Sequence, residues 1–218
     1  MNYNVFREYD IRGVVKEDFY PEFVYNLGRA YGTVLNSVNQ KNISISGDIR
    51  KTTVTLKENL ILGLLNSGIN VYDLGTIPTP INYFSLFETD IPNSVQITGS
   101  HNPPEYNGFK FSLAKKPFFG KEIQNVKAIM VENKYSNSLH KGSLFKLDVI
   151  EDYIKLLKDK IKIDKALSTI MDCGNATGGI VAPEIFRQLG IDNQELYCDI
   201  DDTFPNHHPD PTVDKNLN

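Results

Sequence analysis

Residues 43–75 read ISISGDIRKTTVTLKENLILGLLNSGINVYDLG, and this stretch decides the fold. Ile43-Ser44-Ile45-Ser46 alternates apolar and polar side chains, the period-two pattern of a strand. Gly47 to Thr52 is a polar loop. Thr53 is a candidate N-cap for a helix running to about Ser67, since Leu56, Leu60, Ile61, Leu64 and Leu65 fall on one face. Gly68 stands where a helix end favours a residue tolerant of positive φ. Val71-Tyr72-Asp73-Leu74 then reads as a second strand. Strand, helix, strand in that order is a βαβ unit, which pairs its two strands in parallel.

The pattern extends in both directions. Downstream, Gly75 to Pro80 is a turn, Ile81 to Glu88 a short helix and Ser94 to Thr98 a third strand. Phe109 to Leu113 alternates again, and Asn107-Gly108 before it suggests a tight turn. Gly120 to Asn133 is helical, with Ile123, Val126, Ile129 and Met130 aligned. Upstream, Pro21 to Val38 carries Phe23, Leu27, Ala30, Tyr31, Val34 and Leu35 along one stripe. Asn133 to Ser143 is polar and poor in aliphatics, the approach to a boundary. Asp148 to Ile161 is a helix suited to bridging two domains.

A second unit then echoes the first. Ser168-Thr169-Ile170-Met171 is a strand, Asp172 to Gly179 a loop, Ile180 to Leu189 a helix and Glu195-Leu196-Tyr197-Cys198 a strand. Asp202-Thr203-Phe204-Pro205 parallels Gly75-Thr76-Ile77-Pro78. The expected fold is α/β: a mixed, mainly parallel sheet sandwiched by helices in residues 1–145, followed by the start of a second, similar α/β domain in residues 146–218. The point in the second unit equivalent to Gly99 falls beyond Asn218. That unit is therefore expected to be incomplete, with a sheet edge and an apolar helix face uncovered.

Composition narrows the function. Of 218 residues, 40% are hydrophobic and 23% charged, the balance of a folded globular protein. A net charge of −4 argues against a nucleic-acid partner, which wants a basic surface. Any anion site must come from a local cluster, for which Arg7, Arg12, Arg50, Lys51, Lys110, Lys115 and Lys116 are available. No apolar run reaches the about 18 residues of a membrane span, and Met1 to Arg7 shows no signal-peptide character. The two cysteines, Cys173 and Cys198, read as buried or half-buried thiols. These features together suit a cytoplasmic protein.

The chemistry concentrates in Thr98-Gly99-Ser100-His101-Asn102-Pro103-Pro104-Glu105-Tyr106-Asn107-Gly108-Phe109-Lys110. It offers one exposed hydroxyl at Ser100 among phosphate-friendly donors. A hydrolase nucleophile elbow needs a helix straight after its serine, and Pro103 and Pro104 forbid one. Adjacent side chains in an extended loop point apart, so His101 is expected to be a poor general base for Ser100. A phosphorylated Ser100 fits better, its added charge met by backbone N–H groups near Gly99 and by His101, Asn102 and Lys110. A transferring phosphoryl group would also want a divalent cation.

This run resembles the phosphoserine loop of the α-D-phosphohexomutases, closest to the bacterial phosphomannomutase/phosphoglucomutase type. Phe6-Arg7-Glu8-Tyr9-Asp10-Ile11-Arg12-Gly13, Gly47-Asp48-Ile49-Arg50, Asp172 to Gly179 and Phe204 to Pro211 are similar to further motifs of that family, in order along the chain. The resemblance is to the family's N-terminal portion, domain 1 and part of domain 2. It implies reversible transfer of phosphate between the 1- and 6-positions of a hexose phosphate, through a phosphoserine and a hexose 1,6-bisphosphate. It implies Ser100 as that phosphoserine, with its phosphate as one ligand of Mg2+. Arg12 and Lys110 would flank the reacting phosphate, His101 would join them, and Tyr9 and Asn102 would meet the substrate. Glucose or mannose 1,6-bisphosphate would serve as activator. Asp48 and Arg50 are left as structural or loop-positioning residues, and His207-His208 is not read as a metal site.

The family's metal loop, an Asp-x-Asp-x-Asp-Arg pattern, does not occur in these 218 residues. The chain by itself is therefore expected to have little or no mutase activity. Two alternatives stand: a non-catalytic sugar-phosphate- or partner-binding module derived from the family, and a serine hydrolase. The sequence sets no oligomeric state.

Overall fold

The computed structural model describes residues 2–208 and 210–217; Met1, Asn218 and Pro209 of the Phe204–Pro211 motif lie outside the described residues. In chain order the elements are β1 (Ile11–Val14), α1 (Val15–Asp18), α2 (Pro21–Ser37), β2 (Asn42–Gly47), α3 (Lys51–Asn66), β3 (Asn70–Thr76), α4 (Thr79–Glu88) and β4 (Ser94–Ile97). They continue with β5 (Tyr106–Leu113), β6 (Lys116–Pro117), α5 (Lys121–Glu132), β7 (Leu144–Lys146), α6 (Ile150–Lys160), β8 (Ser168–Asp172), α7 (Ala182–Gln188) and β9 (Asp192–Leu196).

Among the described residues the larger sheet has seven strands, ordered β1-β5-β4-β2-β3-β7 with β6 against β5. β2 runs parallel to β3 and β4, and β3 parallel to β7; β5 is antiparallel to β1, β4 and β6. This is the expected α/β architecture: a parallel part that needs helices on its faces, with an antiparallel flank.

One face is apolar. Ile43, Ile45, Val71, Val95, Ile97 and Phe109 are fully buried there, against the stripes of α2, α3 and α5. Burying each such side chain contributes about 2 kcal/mol of transfer free energy. Gly28 of α2 and Gly63 of α3 let the two backbones touch. A Cβ on Gly28 would strike the Leu60 carbonyl, and one on Gly63 the Tyr25 carbonyl.

The opposite face is polar but covered, as a sheet sandwiched by helices requires. Ser44, Ser46, Ser94 and Gln96 are buried under α4, where Asn82 and Ser85 are buried too. They satisfy one another. Asn82 Nδ2 donates to Ser46 Oγ at 2.7 Å, Ser94 Oγ to Asn82 Oδ1 at 2.7 Å, Ser46 Oγ to Gln96 Oε1 at 2.5 Å, and Gln96 Nε2 to the Ile77 carbonyl at 3.1 Å. A buried polar layer is tolerated when its groups are paired in this way.

Four expectations are corrected. Helix α3 begins at Lys51, so Thr53 is inside it; its hydroxyl donates to Asp48 Oδ1 at 2.7 Å, while Asp202 Oδ2 accepts from Lys51 N at 3.2 Å. Asn107-Gly108 is not a turn but lies within β5, because Asn107 Nδ2 is tied to the hydroxyls of Thr52 and Thr53. The helix expected from Ile180 starts at Ala182 after a 3-10 turn (Thr177–Ile180), since Pro183 fits only a first helical turn. The last strand is Asp192–Leu196, because Tyr197 takes φ +51 and leaves the ladder.

In the second unit β8 and β9 pair in parallel around α7, repeating the order of β2, α3 and β3. Leu74, Ile77, Ile81 and Phe84 form a cluster with Val149 and Val181, and Tyr153, Leu156 and Ile185 pack on it. Helix α6 thus bridges the two units. Ile170 on the small sheet is 68% exposed. Among the described residues no helix is long and apolar enough to cross a membrane.

Candidate active site

Strand β4 delivers the chain into the serine loop, and β5 carries it away. Thr98 N donates to the Gly108 carbonyl at 3.0 Å, which closes the base of the loop. Ser100 is exposed and takes φ +55, a left-handed conformation uncommon outside glycine and Asn. Its own N–H donates to Thr98 Oγ1 at 3.0 Å. Asn102 folds inward, its backbone N–H and Nδ2 both donating to the Gly99 carbonyl at 3.1 and 2.9 Å. That amide is spent on the turn.

Arg50 moulds the loop from below. Its Nη1 donates to the carbonyls of Pro103 (2.6 Å) and Tyr106 (3.1 Å), and its Nη2 to those of Ser100 (3.1 Å) and Asn102 (2.6 Å). Its Nε donates to Asp48 Oδ2 at 3.2 Å, which also accepts from Gly99 N at 3.1 Å. A Cβ on Gly99 would run into the guanidinium, which explains the glycine. Arg50 is 3% exposed, and burial pulls its guanidinium below the usual range, partly offset by Asp48. Nearby Arg12 pulls the same way as burial. The assignment of Asp48 and Arg50 to loop positioning fits this geometry.

Arg12 and Lys110 meet on a carboxylate that the sequence reading gave no role. Arg12 Nη2 donates to Asp10 Oδ2 at 2.5 Å, and Lys110 Nζ to the same oxygen at 3.4 Å. The β1–β5 register pairs Ile11 with Phe109, which places Asp10 and Arg12 on one strand face with Lys110 across from them. The available signal was the i, i+2 spacing of Asp10 and Arg12. Arg12 Nε is buried and has no protein partner among the described residues. A donor left so is what an anion would satisfy.

His101 differs from expectation. Ser100 Oγ and His101 Nδ1 lie 3.3 Å apart, although adjacent side chains in an extended loop diverge. The positive φ at Ser100 bends the loop, so the two side chains turn to the same side. His101 and Pro103 also line a cleft of about 540 Å³ whose far wall carries Phe204, His207, Asp210 and Lys215 of the second unit. Tyr9 is 71% exposed and packs on Phe119, with ring centroids 6.0 Å apart.

Of the other candidate cations, Lys51 pairs with Asp202 at 3.3 Å, and Arg7, Lys115 and Lys116 are exposed. His207 is engaged rather than open: Nδ1 lies 2.8 Å from the His208 carbonyl and Nε2 3.1 Å from Asp172 Oδ2. Burial, together with the Cys198 thiol, pushes the Cys173 thiol up to about 12, so it is not an activated nucleophile. Among the described residues no three His, Cys, Asp or Glu side chains gather as a metal site.

Comparison with known proteins places this geometry. Residues 3–137 match the family model described as phosphoglucomutase/phosphomannomutase, alpha/beta/alpha domain I, and residues 151–218 match that of domain II. The chain is 36% identical over 214 residues to the phosphomannomutase/phosphoglucomutase of Pseudomonas aeruginosa, covering 98% of this chain and 46% of the relative. It is likewise 36% identical to a phosphoglucomutase of Neisseria meningitidis serogroup B, with the same coverage. The crystal structure of a phosphoglucomutase/phosphomannomutase family protein from Burkholderia thailandensis superposes with a TM-score of 0.94 at 33% identity, covering 100% of this chain and 49% of that one. The chain thus spans about half the length of the curated relatives it matches. Two successive domain models in order, over a serine loop held by Arg50 and Asp48, show that the chain belongs to the phosphoglucomutase/phosphomannomutase family.

Proposed function

We propose that this chain supplies the phosphoserine side of a phosphohexomutase site, acting on mannose or glucose phosphates. The observation that carries the reading is the setting of Ser100: exposed, in a left-handed turn whose carbonyl Arg50 holds, with His101 Nδ1 3.3 Å from its hydroxyl. Phosphorylated Ser100 donates its phosphoryl group to a hydroxyl at the 1- or 6-position of the sugar phosphate. The Ser100 Oγ–P bond breaks, a sugar O–P bond forms, and the hydroxyl proton ends on Ser100 Oγ. His101 Nδ1, at 3.3 Å from that oxygen, is placed to hold the proton in transit. Arg12 and Lys110 neutralise charge on the transferring group. The resulting hexose 1,6-bisphosphate turns over and returns its other phosphate to Ser100. Tyr9 and Asn102 are the weaker members of the expected set, one packed on Phe119 and the other bonded within the loop.

Mg2+ would lend such a transfer Lewis-acid charge neutralisation. The described residues assemble no carboxylate set for it, and a Ser100 phosphate would be a single ligand. Accurate positioning of both sides of a site matters by orders of magnitude in rate, so this chain alone is expected to turn over little or no mannose 1-phosphate.

Intact mass before and after incubation with glucose 1,6-bisphosphate tests the serine. One added phosphate, absent in Ser100→Ala, is the expected result; an unchanged mass in both this chain and a full-length relative would sink the reading. The short Ser100–His101 contact favours one other reading, a serine hydrolase. Among the described residues His101 has no hydrogen-bonded carboxylate to orient it, and labelling of Ser100 by a fluorophosphonate would be needed to revive that reading.

A further inference from the structure

Cys173 and Cys198 stand at the carboxyl ends of neighbouring parallel strands. Strand β8 ends at Asp172 and β9 at Leu196, and these two are register partners. In an undistorted ladder Cys173 would face Tyr197, with Cys198 one step further on. Tyr197 instead takes φ +51, a conformation uncommon for a bulky side chain. Cys173 N donates to the Leu196 carbonyl at 3.1 Å and Asn175 N to the Tyr197 carbonyl at 2.8 Å, so the kinked segment stays fastened to β8. The kink sets two residues against one, as a bulge does, and turns Cys198 back toward its neighbour. The Cys198 thiol donates to Cys173 Sγ at 3.4 Å.

Both thiols are free and half-buried. Cys173 also lines a cavity of about 240 Å³ with Asp172, Gly174 and His207, which gives a small oxidant a way in. The sulfurs have to close from 3.4 Å to the ~2.05 Å of a disulfide bond.

We propose that Cys173 and Cys198 are a reversible disulfide pair, closed by a peroxide and reopened by a dithiol. On closure the S–S bond forms while two S–H bonds and the peroxide O–O bond break. Two electrons pass from the sulfurs to the peroxide, which leaves as two waters carrying both thiol protons. A dithiol reverses the step by exchange and departs as its own disulfide. The high Cys173 thiol keeps thiolate scarce near neutrality, so the pair closes slowly. The bridge would staple β8 to β9, a two-stranded sheet among the described residues.

The test is to treat the reduced chain with excess hydrogen peroxide and follow intact mass, non-reducing peptide maps and thermal unfolding. The expected product has lost two hydrogens, links the peptides of Cys173 and Cys198 within one chain, unfolds at a higher temperature and reverts with dithiothreitol. Cys198→Ser and Cys173→Ser should each abolish the link. Oxygen addition to either cysteine of the unsubstituted chain without a link, or a link only between chains, would overturn the proposal.

Discussion

Arg50 donates to four loop carbonyls and to Asp48, so a single side chain fixes the main-chain path around Ser100. Arg50→Ala should destabilise the chain by roughly 3 kcal/mol, because it strands part-buried loop carbonyls and leaves Asp48 without its cation. Arg50→Lys should recover less than half of that, since one ammonium cannot replace a forked guanidinium. Urea unfolding midpoints for the three proteins check this; a Lys variant as stable as the parent would refute it. Ser100, Lys110 and Arg12 were nameable as candidates from residue type and motif. The role of Asp10 was not, because it consists of two cations converging on one oxygen from different strands. The Ser100–His101 contact was misread because a local alternation rule fails where φ turns positive.

At the scale of elements, the Ser44/Ser46 alternation correctly announced a strand but not its surroundings. Both sheet faces are covered, and α4 supplies the partners that a solvated face would have taken from water. Asn82→Ala should therefore cost roughly 3 kcal/mol, from a small cavity and from the unpaired groups of Ser46, Ser94 and the Val95 carbonyl. A loss under about 1 kcal/mol in urea unfolding would show that water replaces the network. Helix α3 gives a second case. Its position was readable from its apolar stripe, but its first N–H meets Asp202, 151 residues away in the chain. No local pattern could have announced that partner.

At the scale of the whole molecule, the Asp172 loop and the Phe204–Pro211 segment are joined through His207. The bond to the His208 carbonyl, then the Asp172 carboxylate, raise this imidazole above its ordinary value of 6.5. Both ring nitrogens face acceptors, which suits the protonated form. A group whose folded value is raised stabilises fully below its unfolded value and loses that contribution as pH rises through the folded one. Stability should therefore fall as pH climbs from about 6 toward 8, and Asp172→Asn should flatten this slope in urea unfolding across that range. An unchanged slope would show that the pair is not coupled to folding.

The sequence by itself determined the α/β class, the order of strands and helices, the serine loop and its family, because these rest on periodicity, turn residues and contiguous motifs. The tertiary structure alone decided which groups Arg50, Asp10 and Asp202 meet. Arg50, Asp10 and Asp202 act on groups brought near by the fold, and hydrogen-bond geometry between distant segments leaves no period in the chain that specifies it.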